Sequence, residues 1–79
     1  MATKEEIREE NRKIRYLQRL ADLTMLLIMN TDMSLQEATR TIASLRGFAL
    51  RLFPGKESTF ELIYGRRFRR LLAEKYGLH

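Results

Sequence analysis

Two breaks cut this chain into three stretches, and each stretch repeats its apolar residues at spacings of three and four. That spacing places side chains on one face of an α-helix, and no stretch shows the two-residue alternation of a half-buried strand. The first stretch, about residues 4–30, carries Ile7, Ile14, Leu17, Ala21, Thr24 and Ile28, with Glu10 in one stripe position. Asn30-Thr31-Asp32-Met33 then reads as a turn, and Ser34-Leu35-Gln36-Glu37 has the capping-box pattern that satisfies exposed amides at a helix start. The second stretch, about 35–53, continues through Leu35, Ala38, Ile42, Leu45, Ala49 and Leu52. Gly47 lies inside it at a helix cost of ~1 kcal/mol relative to alanine, which makes it either a close-approach point or a weak spot.

Pro54-Gly55 ends the second stretch. Ser58-Thr59-Phe60-Glu61 offers a second capping box for a third helix over about 59–76, and Gly77 is placed to close it in the left-handed conformation. Short connections between three amphipathic helices predict an all-α fold, a three-helix up-down-up antiparallel bundle with a long first helix. All 79 residues fit within one domain.

Lengths add a further expectation. At 1.5 Å per residue the first helix is ~40 Å long against ~30 Å for the others, so its leading turns overhang the bundle. Ile7 on that segment, roughly residues 3–12, and Ile14 next along the same stripe are therefore candidates for self-association, with fraying of a charged terminus as the bland alternative. The second half, Leu20 to Met29, is apolar nearly all round and is expected to be the most buried part of the chain. Met25, Met29 and Met33 recur every four residues and read as gap-filling core rather than an adaptable groove.

Composition narrows the chemistry. Cysteine is absent, which removes disulfides and thiolate sites and fits a cytoplasmic chain. The single histidine is His79, so neither a histidine base nor a multi-histidine metal site is expected. The early glutamates, among them Glu5, Glu6, Glu9 and Glu10, read as a solvated face at the positive end of a helix dipole. Gly55-Lys56 lacks the spacing and the preceding strand of a phosphate-binding loop. The apolar run Leu23 to Met29 is far short of the ~20 residues that span a bilayer. No metal, no cofactor, no membrane insertion and no enzymatic activity are expected.

Charge is the remaining signal. The formal charge is +5, from fifteen basic and ten acidic side chains, and eleven of the fifteen are arginine. Gly65-Arg66-Arg67-Phe68-Arg69-Arg70 is the densest run. On a helix, Phe60, Tyr64, Phe68, Leu71 and Leu72 fall on one side, Arg66, Arg69 and Arg70 on the other, and Arg67 at the edge. With Arg40 and Arg51 of the second helix, this set forms a candidate docking surface for a polyanion or an acidic partner. The third helix begins with Phe60, Leu62, Ile63 and Tyr64, too poor in base-reading groups for a sequence-specific major-groove reader. Leu62 is the one apolar candidate beside these arginines, which ranks docking on an anionic membrane low. The expected function is a small non-enzymatic module for binding another protein or itself through a basic face. The alternative is nonspecific nucleic-acid binding through phosphate-backbone contacts.

Overall fold

The computed structural model describes residues 2–77; Met1, Leu78 and His79, the chain's one histidine, lie outside the described residues. Three rods run up, down and up. They are α1 (Lys4–Asn30), α2 (Leu35–Leu52) and a third rod in three contiguous pieces: α3 (Glu57–Phe60), a π turn (Glu61–Gly65) and α4 (Arg66–Tyr76). Backbone angles at the junction residues Phe60, Glu61, Gly65 and Arg66 are all right-handed helical, so the third rod is unbroken. No strand occurs among the described residues.

Local chemistry sets the ends of the rods. Thr3 Oγ1 accepts from the Glu6 amide at 3.1 Å, and Ser34 Oγ accepts from the Glu37 amide at 3.1 Å, as the Ser34–Glu37 pattern predicts. The second predicted capping box does not form. Gly55, at φ 77°, turns the chain so tightly that the Lys56 amide donates to the Phe53 carbonyl at 3.3 Å. The helix then begins at Glu57 rather than Thr59, Ser58 lies inside it, and the Glu61 side chain is free for other partners. Gly77 adopts φ 67° and donates its amide to the Ala73 carbonyl, the left-handed cap expected of it.

The main core joins Leu17 and Ala21 of α1, Leu45 and Ala49 of α2, and Phe60, Tyr64 and Phe68 of the third rod. Three aromatic rings at a spacing of four would drift ~40° per step around an α-helix. The π turn between Phe60 and Phe68 is wider and takes up that drift, so all three rings face inward. The rings of Phe60 and Tyr64 lie 5.3 Å apart and tilted. Alanine at 21 and 49 gives them room, an exchange of small for large across the interface. Nearer the first turn, Ile28 and Ala38 are completely buried, and Thr24 satisfies its buried hydroxyl by donating to the Leu20 carbonyl at 2.7 Å.

The segment Leu20–Met29 is not the most buried part of the chain. Ala21, Thr24 and Ile28 are buried there, whereas Leu23, Leu26, Leu27 and Met29 are all exposed, Leu23 by 62%. Two neighbouring rods can cover only one arc of α1, and the opposite arc stays in water whatever its residues are. Met29 is accordingly not a core residue. Met25 packs against the core, and Met33 is half-buried with its sulfur accepting from the Thr41 hydroxyl at 3.8 Å.

The far end of the third rod clasps this turn. α1 has no basic residue in its own last turn. Lys75 supplies the charge from α4, with its ammonium donating to the Ile28 carbonyl and, at 2.6 Å, to the Thr31 carbonyl. Tyr76 donates its hydroxyl to the Met33 carbonyl at 2.7 Å. Removing the ammonium while keeping the stem, in Lys75→Met, should therefore lower the unfolding free energy by ~1–2 kcal/mol in urea titration. Gly47 gives the opposite expectation. A Cβ there would meet nothing within 4 Å, so Gly47 is a weak spot rather than a close-approach point. Gly47→Ala should raise the denaturation midpoint, corresponding to ~1 kcal/mol.

Candidate functional site

Adjacent residues on a helix point ~100° apart, and this disperses the arginine run of the third rod. Arg67 turns toward α1 and lies 3.8 Å from the Asp22 carboxylate. Arg69 turns toward α2 and shares the Glu61 carboxylate with Arg46, at 3.5 Å and 3.0 Å respectively. Gly65 leaves the space this carboxylate occupies, since a Cβ on Gly65 would overlap Glu61 Oε2. Arg66 and Arg69 line one shallow depression with Glu57 and Glu61, and Arg66 and Arg70 are exposed one turn apart.

Arg40 and Arg51 are exposed on α2. They lie roughly 120–140° around that helix from Arg46, the residue through which α2 meets Glu61. The structure thus brings Arg66 and Arg69 together and holds Arg40 and Arg51 on a different side of α2. The cation between α2 and the third rod is Arg46, which the sequence reading did not single out.

A denser surface lies on α1. Arg8, Arg12, Arg15 and Arg19 are all exposed and, with Asn11 and Tyr16, line one shallow depression. The same face continues into Leu23, Leu26 and Leu27, all exposed. These seven residues fall within ~120° of arc, because their spacing of four, three, four, four and three or four tracks the helical repeat. Among the described residues the only ion pair on this row joins Arg12 to Glu9 at 3.5 Å, between exposed side chains, where such pairs contribute little. Tyr16 packs its ring against Phe48 of α2, 5.8 Å between centroids, which fixes one edge of the face. The face is therefore a rigid strip ~30 Å long, cationic in its first half and apolar in its second.

No protein-family model, curated protein or solved structure matches this chain. Among the described residues no group of histidine, cysteine, aspartate or glutamate is arranged to hold a metal ion. No helix among them is long and apolar enough to cross a membrane.

Ile14 lines a second concavity, an open apolar cleft of about 260 Å³ on another side of α1, where Leu50, Phe53, Phe60, Ile63 and Tyr64 form its floor and far wall. Ile7 lies beyond it on the overhang and is 51% exposed; Ile14 is 42% exposed. Among the described residues, Tyr64 has a phenol shifted by its surroundings. Burial first, and then the Asp22 carboxylate, push its hydroxyl above the usual value of 10.0, while Arg67 opposes them. A folded-state value raised above the unfolded one favours the protonated fold. That stabilisation is complete below about pH 10 and is lost as pH rises through the folded value. Urea midpoints should thus fall as pH rises past about 10, and Tyr64→Phe should flatten that decline.

Proposed function

We propose that this chain is a non-enzymatic helical docking module that recognises an acidic, partly apolar protein segment through the exposed face of α1. One observation carries the reading: Arg8, Arg12, Arg15 and Arg19 continue along a single face into Leu23, Leu26 and Leu27, and all seven are exposed among the described residues. Arginine forks suit carboxylates, and exposed leucines beside them gain from desolvation by an apolar partner. Charge and apolar surface are segregated along the axis rather than across the width of the helix. A helix with one acidic half and one apolar half matches that order. A bilayer, which is uniform along the same axis, does not.

The second reading is nonspecific binding to a nucleic-acid backbone. It is favoured by the row of four arginines, whose exposed guanidinium groups suit phosphate oxygens. It leaves the three leucines without a counterpart, so we rank it second. The arginines Arg66 and Arg70 of the third rod add to the positive field on either reading.

Fluorescence anisotropy separates the two readings. One probe is a labelled helical peptide with glutamates on one half of a face and leucines on the other; the second is a labelled DNA duplex. The docking reading expects the peptide to bind, and expects both Arg12→Glu/Arg15→Glu and Leu23→Gln/Leu27→Gln to weaken it at least about tenfold, or ~1.4 kcal/mol. A peptide of the same composition with its glutamates and leucines interleaved should bind more weakly. Tight binding of the duplex that responds to the arginine substitutions alone would establish the nucleic-acid reading instead. Failure of both probes at low salt would reject this face as a docking site.

A further inference from the structure

The overhang of α1 presents a different surface, on the opposite side of the helix from the arginine row. Residues 4–12 are exposed throughout, and of them only Glu10 reaches the cleft shared with α2 and the third rod. Yet its seam is the same one that forms the core lower down. Ile7, Ile14, Ala21 and Ile28 recur every seven residues, with Glu10, Leu17 and Thr24 between them, and the seam is buried from Leu17 onward. At the base of the overhang the seam opens into the apolar cleft, whose floor and far wall are Leu50, Phe53, Phe60, Ile63 and Tyr64. An unpaired apolar stripe thus stands beside an unfilled apolar cleft, and both carry the helical period that a second helix would read.

Charge selects the occupant and its direction. Ile7 is flanked by Glu6 and, one turn on, by Glu10, which also lines the near edge of the cleft, whereas Lys56 rims the cleft and Lys13 follows one turn beyond in the sequence. More widely, Glu5, Glu6, Glu9 and Glu10 make the first turns acidic, and Arg12, Lys13 and Arg15 make the next ones basic. These groups lie within about a Debye length of a helix packed alongside. Two such segments side by side in the same direction would set acid against acid and base against base. Reversed, each acidic end meets the other's basic stretch.

We infer that the first half of α1 pairs antiparallel with the same segment of a second copy, each Ile7 entering the other copy's cleft beside Ile14. The two-fold axis then passes close to Glu10 and Asn11. The interface is isologous and closes as a dimer, with nothing left over to propagate a chain of copies. Its seam lies roughly opposite the face of Arg8, Arg12, Arg15 and Arg19, so pairing leaves both docking faces open and makes the assembly bivalent.

The absence of cysteine makes disulfide mapping unambiguous, because a single introduced thiol can join only its own counterpart. Glu10→Cys lies near the axis and should form a covalent dimer rapidly under mild oxidation. Ile7→Cys should not, since the two Ile7 positions are more than ~10 Å apart along the axis, beyond disulfide reach. An equimolar mixture of Ile7→Cys and Ile14→Cys should cross-link as a heterodimer. In sedimentation velocity, wild type should pass from monomer to dimer between micromolar and millimolar concentration, and Ile7→Glu should raise the dissociation constant at least about tenfold. Ile7 is already about half exposed in the monomer, at 51%, so an unchanged helical signal would confirm that the variant is folded. A wild type that stays monomeric at millimolar concentration would overturn the inference. So would self-cross-linking of Ile7→Cys, which marks parallel pairing, or an Ile7→Glu variant that dimerises as well as wild type. Binding of the acidic peptide to α1 is read separately, so failure here leaves the docking proposal standing and the reverse also holds.

Discussion

A helix of 27 residues packed against two shorter rods can be covered along only part of its length and around only part of its circumference. Everything distinctive about this molecule follows from that mismatch. The overhang leaves residues 4–12 in water, and the uncovered arc leaves Leu23, Leu26, Leu27 and Met29 in water. The short arms compensate by packing densely where they do touch α1. The π turn aligns three aromatic rings against alanines, and Lys75 and Tyr76 tie the end of the third rod to the α1–α2 turn. A small core of this kind provides only ~3–5 kcal/mol of net stability, so each of these contacts is a large share of the whole.

Both proposals rest on the same mismatch. The two uncovered regions of α1 point in nearly opposite directions and differ in chemistry. One is a cationic strip that runs into leucines. The other is an apolar seam bordered by charges of alternating sign along the chain. We propose the first for a partner that is acidic and then apolar along its length, and the second for a copy of the chain itself. The third rod contributes less than its arginine count indicates, because Arg67 and Arg69 are turned toward Asp22 and Glu61.

The fold was largely legible from spacing and punctuation. The stripes of the first two stretches, the Ser34 cap, the inward Phe60, Tyr64 and Phe68, and the Gly77 cap all rest on local chemistry and appear as expected. The later start expected for the third rod missed how early Gly55 closes the turn, and the π turn could not be read because it answers a tertiary demand for ring alignment. Burial of Leu20–Met29 was misjudged for a geometric reason: hydrophobicity on all sides of a helix does not supply neighbours on all sides. Helix geometry also governs the arginines. Adjacency makes Arg66, Arg67, Arg69 and Arg70 conspicuous in the linear sequence, yet adjacency is what spreads them around a helix. Arg8, Arg12, Arg15 and Arg19 look scattered in the sequence and are aligned in space; the three-four spacing that was followed for apolar residues would have found them.

Hydroxyl-radical footprinting as a function of protein concentration tests the central claim, that α1 is covered on one arc only, most directly. In dilute solution the account predicts strong labelling of Leu23, Leu26, Leu27, Met29, Ile7 and Ile14, with Ile28, Leu45 and Phe68 protected. On concentration, Ile7 and Ile14 should become protected while the four residues from Leu23 to Met29 remain labelled. Protection of Leu23 and Leu27 in the dilute monomer would contradict the account, because it would mean that the bundle itself covers the face on which the proposed function depends.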